Sequence, residues 1–221
     1  LIPFVNIHTH QIDDNTEHLS IADWCTITLE QRNKLSLFSA GIHPWCIDEI
    51  NANKQFQELK EQALKINCKA IGECGLDKLK GPSLSIQIPI FEKQIVLAIQ
   101  LKKPVIVHCV QAFDVLCAII KKYQNQTTFI IHGFNQNEQI ALQLLKLGAY
   151  LSFGKALLNA KNERLKHIFV ETPNLKLFLE NDDALVSIEE IYKAASGAKK
   201  CELHVMKEII FANYKKVFTH E

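Results

Sequence analysis

At 221 residues, 48% hydrophobic and 22% charged, the chain can bury a full core, and no linker or low-complexity tract divides it, so residues 1–221 read as one domain. The formal net charge of +1 excludes a global basic field for nucleic acid and leaves only a local patch for that purpose. Seven cysteines without a Cys-x-x-Cys pair, several within apolar runs, read as reduced thiols packed like small hydrophobes in a cytoplasmic protein. No apolar stretch of about 18 residues is expected to cross a membrane, and Leu1-Ile2-Pro3-Phe4 leads into a strand rather than a signal-peptide pattern. Leu1 is not methionine, so a short preceding segment is expected.

The first apolar run starts at Phe4 and ends in His8 and His10. Positions i and i+2 of a strand share a face, so both imidazoles can reach one ion. Further strands fit Cys25 to Leu29 and Leu35 to Ala40, with only residues 30–34 between them. A parallel crossover normally takes a dozen or more residues, so either strand two is short and irregular or the barrel is distorted around strands two and three. A helical pattern follows at Gln55 to Lys65, then a strand from Lys69 to Glu73 and a helix from Gln87 to Leu101. The strand Pro104 to His108 precedes a helix at Ala112 to Tyr123, and Thr128 to His132 precedes one at Asn137 to Leu147. Ala149 to Phe153 is a strand and Asn162 to Val170 a helix; Leu175 to Leu179 is a strand followed shortly by Asp182, and helices at Ile188 to Ala195 and Glu202 to Phe218 end the chain.

About eight strands alternating with helices favour a (β/α)8 TIM-type barrel over an open sheet. Continuous apolar runs suit strands buried on both faces. Five of them end in metal-binding side chains, as a barrel whose active site gathers on its carboxyl-terminal rim requires. Singly, His8, His108 or His132 reads best as a satisfied core or strand-end histidine; as a set they read as ligands. Glu73 has a salt bridge as its bland reading, and Asp182 a helix cap beside Asp183.

Asn6-Ile7-His8-Thr9-His10, Ala40-Gly41-Ile42-His43-Pro44, Ala70-Ile71-Gly72-Glu73-Cys74-Gly75-Leu76-Asp77, Val105-Ile106-Val107-His108, Ile131-His132-Gly133-Phe134 and Leu179-Glu180-Asn181-Asp182 resemble, in order, the signatures of the TatD family of metal-dependent deoxyribonucleases. The resemblance spans nearly the whole chain. It implies an amidohydrolase-like barrel with one or two divalent ions. His8, His10 and Asp182 would hold one ion, His108 and His132 the other, and Glu73 would bridge them. Imidazoles suit zinc and other transition ions, while carboxylates also admit magnesium or manganese. Such ions activate water and offset charge on a phosphodiester, with Asp182 as the candidate base and Glu73 as the second catalytic carboxylate.

The implied substrate is single-stranded DNA or another phosphodiester, with no membrane and no obligate protein partner. Several positions depart from the family's pattern. The family usually has aspartate at Asn6, a basic residue at Val110, a second histidine at Trp45 and threonine at Asn181. Its long loop after Asp182 is cut to a few residues, which opens the barrel mouth. Two other classes therefore stay in play: a barrel hydrolase acting on an amide or ester, and a degraded paralogue that binds metal without turnover. His43 and Asp77 stand between supporting the site and shaping turns. Lys78, Lys80 and Lys155 could meet phosphates, and Trp24 and Trp45 could stack on a base, though solvation and packing are the blander readings. Cys74 and Cys109 flank ligands but read as buried, inert thiols. His18, His167, His204 and His220 read as surface residues.

Overall fold

Eight strands, every neighbouring pair parallel, join in chain order into one sheet: β1 (Phe4–Thr9), β2 (His18–Asp23), β3 (Phe38–Ala40), β4 (Cys68–Asp77), β5 (Val105–Val110), β6 (Phe129–Ile131), β7 (Tyr150–Phe153) and β8 (Leu177–Leu179). The structure, a computed structural model, describes residues 2–32 and 35–219. The sheet curls until its ends meet. The Asp182 amide donates to the His8 carbonyl at 3.1 Å, and the His10 amide donates to the Asp182 carbonyl at 3.0 Å. Lower on that seam the Val5 amide and carbonyl both bond the Tyr192 hydroxyl, each at 3.0 Å, so a helix side chain satisfies backbone groups that β8 does not reach. The result is a TIM-type barrel closed at the rim where the last signature meets the first.

Strand two differs from the sequence reading. It occupies His18–Asp23, and the residues expected as a strand at Cys25 to Leu29 hold a turn that leads into the short α1 (Leu29–Arg32). The connection from β2 to β3 therefore has the dozen residues a parallel crossover needs. The irregularity lies instead between β1 and β2, which are joined by residues 10–17 without a helix and slip in register between Asn6 and Thr9. His18 is a correction too. It is half-buried at the head of β2, with Asp13 and Glu189 each 2.8 Å from a ring nitrogen. His167 and His204 are exposed, and His220 lies outside the described residues.

The remaining helices sit where the three- and four-residue spacings put them: α2 (Ala52–Ala63), α3 (Leu84–Leu101), α4 (Phe113–Lys122), α5 (Glu138–Lys146), α6 (Glu163–Glu171), α7 (Ile188–Lys199) and α8 (Leu203–Tyr214). Side-chain caps fix several of their starts. Asn137 accepts the Ile140 amide at 3.0 Å, and Ser187 with Glu190 makes a reciprocal capping box. Contrary to the expectation from apolar runs, α3 is long and apolar enough to cross a membrane by length and composition, at 18 residues and mean hydropathy 1.2. Here it packs on the barrel, and two buried glutamines serve the rim. Gln94 bonds both the amide and the carbonyl of Ile42, at 2.7 and 3.1 Å, and Gln87 does the same for Asp77, at 2.8 Å each. The loops bearing His43 and Asp77 are thus clamped from outside.

Candidate metal centre

Glu73 is the hub of the carboxyl-terminal rim. It lies within β4, a strand longer than the run that announces it, and glycines at 72 and 75 let neighbouring strands close on it. A Cβ on Gly75, whose φ is +150°, would run into the His108 carbonyl, and one on Gly41 would sit 2.6 Å from the Glu73 carbonyl. The close approach brings Glu73 Oε1 to 2.7 Å from His108 Nδ1, 2.8 Å from His132 Nε2 and 3.2 Å from His43 Nε2. Its other oxygen, Oε2, lies 3.2 Å from His8 Nε2 and 3.6 Å from His10 Nε2. Asp182 Oδ1 completes that side, 3.5 Å from His8 Nε2 and 3.3 Å from His10 Nε2.

All six residues named from the sequence therefore converge, with His43 beside them. Asp182 is held there by its two backbone bonds to β1 and by a left-handed backbone, φ 54°. Three subsets place one ligand atom per residue within 4.8 Å of one another: His8, His10 and Glu73; His8, His132 and Asp182; and His43, Glu73 and His108. His8 is fully buried, yet neither ring nitrogen has a hydrogen-bond partner among the described residues, and His10 Nε2 has none either. Buried polar atoms left this way are costly. A divalent cation fits the donor set, because neutral imidazoles and carboxylates both coordinate it.

The electrostatics point the same way. Burial works against charge on His8, but Asp182 and Glu73 outweigh it and push its pKa up to about 10. His132 is likewise raised in spite of burial by Glu73 and Glu180. Burial raises the Glu73 carboxyl, yet the His132 charge and the close approach of His10, His108 and His132 hold it well below its usual range. Asp182, opposed by burial and favoured by His8, His132 and His10, falls to about 2. Without an ion the cluster holds protons in its place.

Of the supporting residues, Asp77 is one the sequence left between supporting the site and shaping a turn, while Glu180 and Asp23 carried no expected role. Glu180, fully buried, accepts the Gly133 amide at 2.6 Å and the Ser152 hydroxyl, and faces His132 Nδ1 at 3.3 Å, leaving Nε2 toward Glu73. Asp77 does the equivalent for His108 from the opposite nitrogen, at 3.2 Å from Nε2, and also accepts the Trp45 indole N–H at 2.6 Å. Burial opposes ionisation of Asp77, but bonds from Trp45, the Leu79 amide and His108 keep its carboxyl below the usual range. Asp23, at the end of β2, is buried and has its pKa raised by that burial against the pull of His8. Asp23 closes a strand that reads as polar, and Glu180 gains its role only when β6, β7 and β8 come together.

The Asn6 departure has a partner. Asn6 Nδ2 donates to Asn181 Oδ1 at 2.8 Å, and Asn6 Oδ1 accepts the Asn181 amide at 3.2 Å. Two departures from the family's pattern thus meet across the barrel seam, next to Asp182. Cys74 is buried with its thiol pushed far up, Cys109 is pushed up to about 12, both by burial, and neither joins the cluster. Lys78 pairs with Asp114 at 3.1 Å and Lys155 with Asp183 at 2.7 Å; Lys80 lies over the Trp45 ring.

Known proteins resemble this chain in sequence and in fold. The family model described as TatD related DNase matches residues 9–219. A protein of Buchnera aphidicola described as an uncharacterized metal-dependent hydrolase is 26% identical over 201 residues, 82% of this chain and 76% of that one. A homologue of TATDN1 from Enterocytozoon bieneusi, with a provisional deoxyribonuclease description, is 30% identical over 151 residues, 68% of this chain and 53% of its own. The crystal structure of a TatD family hydrolase from Entamoeba histolytica superposes with a TM-score of 0.79 over 98% of both chains at 17% identity, a likeness of fold. The chain belongs to the TatD related DNase family, among whose members it resembles metal-dependent hydrolases.

Proposed function

We propose that this member of the TatD family hydrolyses phosphodiester bonds in DNA, with His8, His10 and Asp182 holding one divalent ion, His108 and His132 a second, and Glu73 between them. The observation that carries the reading is the meeting of five imidazoles and Asp182 around one buried carboxylate, with buried ring nitrogens on His8 and His10 that make no well-formed hydrogen bond among the described residues. Zinc, manganese and magnesium all suit these donors. Bound there, such cations supply Lewis acidity toward a phosphoryl oxygen and lower the pKa of water toward neutrality.

The chain's own groups do the rest. Asp182 is a carboxylate at neutral pH in the ion-free cluster, and it is the group placed beside His8 and His10 to accept the proton of the attacking water. Its backbone bonds to His8 and His10 hold it against the two rings it must stay beside. Glu180 and Asp77 fix which nitrogen His132 and His108 turn inward. The short connection from Asp182 to Ser187, the cap of α7, leaves Leu185 fully in solvent, and the side chains of His10 and Asp182 are 28% and 27% exposed beside it.

The test is hydrolysis of single-stranded DNA, a phosphodiester dye and acyl amides by protein stripped of metal and reloaded with zinc, manganese or magnesium. Cleavage of the DNA and the dye should require metal, and Glu73→Ala and His108→Ala should lose turnover and bound ions together. Phosphodiester turnover that persists in chelator, or turnover of the amides alone, refutes the reading.

A further inference from the structure

Trp45 stands where the family carries a second histidine, and it is poorly placed to be packing alone. It is 48% exposed, in contrast to the usual deep burial of tryptophan. Its edge is nevertheless fixed. The indole N–H donates to Asp77 Oδ2 at 2.6 Å, the oxygen that faces His108, and the ring meets His43 edge-on at 4.7 Å and His108 at 5.6 Å between centroids. A rigid aromatic plane therefore stands beside the histidines of the cluster. Over it lies Lys80, whose ammonium is 4.0 Å from the ring centroid, on an exposed and mobile type of side chain. Unlike Lys78 and Lys155, Lys80 has no carboxylate partner among the described ion pairs.

We infer that Trp45 and Lys80 form a nucleobase subsite, in which the indole stacks on the base next to the scissile phosphate and the lysine meets that nucleotide's phosphate. The inference rests on the phosphodiesterase reading for its place in the reaction, not for binding. An aromatic plane already held by its N–H loses little freedom on binding. Stacking tolerates every base because each has a π-face, so the subsite selects for nucleotides over base-less phosphodiesters without selecting sequence. A stacking base displaces Lys80 from the ring face it covers, and the freed ammonium meets the phosphate at the edge of the stack.

The experiment has two arms. In the first, deoxyadenosine monophosphate and ribose 5-phosphate are titrated by calorimetry into wild-type protein and into Trp45→Phe, Trp45→Leu and Lys80→Met. Trp45→Phe loses the indole bond but keeps an aromatic face, so its contrast with Trp45→Leu isolates stacking. The expected result is an affinity for the nucleotide about 5- to 150-fold weaker in Trp45→Leu than in Trp45→Phe, with equal affinities for ribose 5-phosphate. Lys80→Met should weaken both ligands. In the second arm, KM is compared for the p-nitrophenyl ester of thymidine 5′-phosphate and for methyl p-nitrophenyl phosphate, and the preference for the nucleotide should shrink by the same factor in Trp45→Leu. A nucleotide bound no better than ribose 5-phosphate, or equally by the Phe and Leu variants, overturns the subsite even if DNA is cleaved. Stacking without cleavage of either ester leaves the subsite standing and refutes the phosphodiesterase reading instead.

Discussion

Replacing Asn6 with aspartate would restore the carboxylate the family usually carries, and a carboxylate that orients a ligand imidazole is typically worth about 10- to 100-fold in metal affinity. The structure gives the substitution the opposite sign. The Asn6 amide spends its N–H on Asn181 Oδ1 at 2.8 Å and its oxygen on the Asn181 backbone amide. An aspartate keeps the second bond and turns the first into two acceptors facing each other. The Asn181 amide cannot flip without cost, since its Nδ2 donates to the Val186 carbonyl at 3.3 Å. The loss is one neutral hydrogen bond, about 0.5–1.5 kcal/mol, plus an acceptor left unsatisfied, about 1–3 kcal/mol, so Asn6→Asp should destabilise the metal-free protein by about 1.5–4.5 kcal/mol. Because Asn181 adjoins Asp182, ion affinity should fall as well. Asn181→Thr supplies a hydroxyl that can donate to the new carboxylate, and a double-mutant cycle should show about 0.5–3 kcal/mol of favourable coupling. Urea unfolding of the four proteins and manganese titration of each measure both quantities. Asn6→Asp alone matching wild type in stability while binding manganese more tightly would refute the argument.

Glu180→Gln keeps the shape that accepts the Gly133 amide but removes the charge beside His132; it should weaken ion binding about 10- to 100-fold. Calorimetric titration with zinc checks this, and wild-type affinity would reduce Glu180 to packing. The cluster also makes stability depend on pH. His8 in the folded, ion-free protein is pushed up to about 10, above its unfolded value of about 6.5. Its contribution is thus fully present below that unfolded value and lost as pH rises through about 10. Ion-free protein should therefore weaken between pH 7 and 10, and zinc uptake at pH 7, which displaces that proton, should acidify a weakly buffered solution. Zinc binding without proton release would show that His8 is already neutral.

Most of the barrel is readable because its strands are buried on both faces and so appear as unbroken apolar runs, as in Val105-Ile106-Val107 and Phe129-Ile130-Ile131. Strand two breaks that rule. His18, Leu19 and Ser20 are only half-buried, and polar residues alternate through it, so the β-branched residues at Thr26, Ile27 and Thr28 present the stronger strand signal. Those residues instead build a turn, with Thr26 bonding the Asp23 carbonyl at 3.0 Å. The missing helix between β1 and β2 removes the other cue, since alternation of strand and helix is what counts strands in a barrel.

The six clustered residues are readable for the same reason as the strands: each sits where an apolar run stops. Their supports lie elsewhere in sequence. Asp77 is 31 residues from His108, Glu180 is 48 from His132, and Asn6 is 175 from Asn181. Only the closed sheet makes neighbours of them. Asp77 faces His108 because β4 pairs with β5, and Asn6 reaches Asn181 because the segment after β8 returns to β1. Read singly, Asn6 is a lost carboxylate and Asn181 a lost threonine, and both count against a working site. Read as a bonded pair they satisfy each other beside Asp182, so these two departures weigh much less toward a degraded site than either does alone.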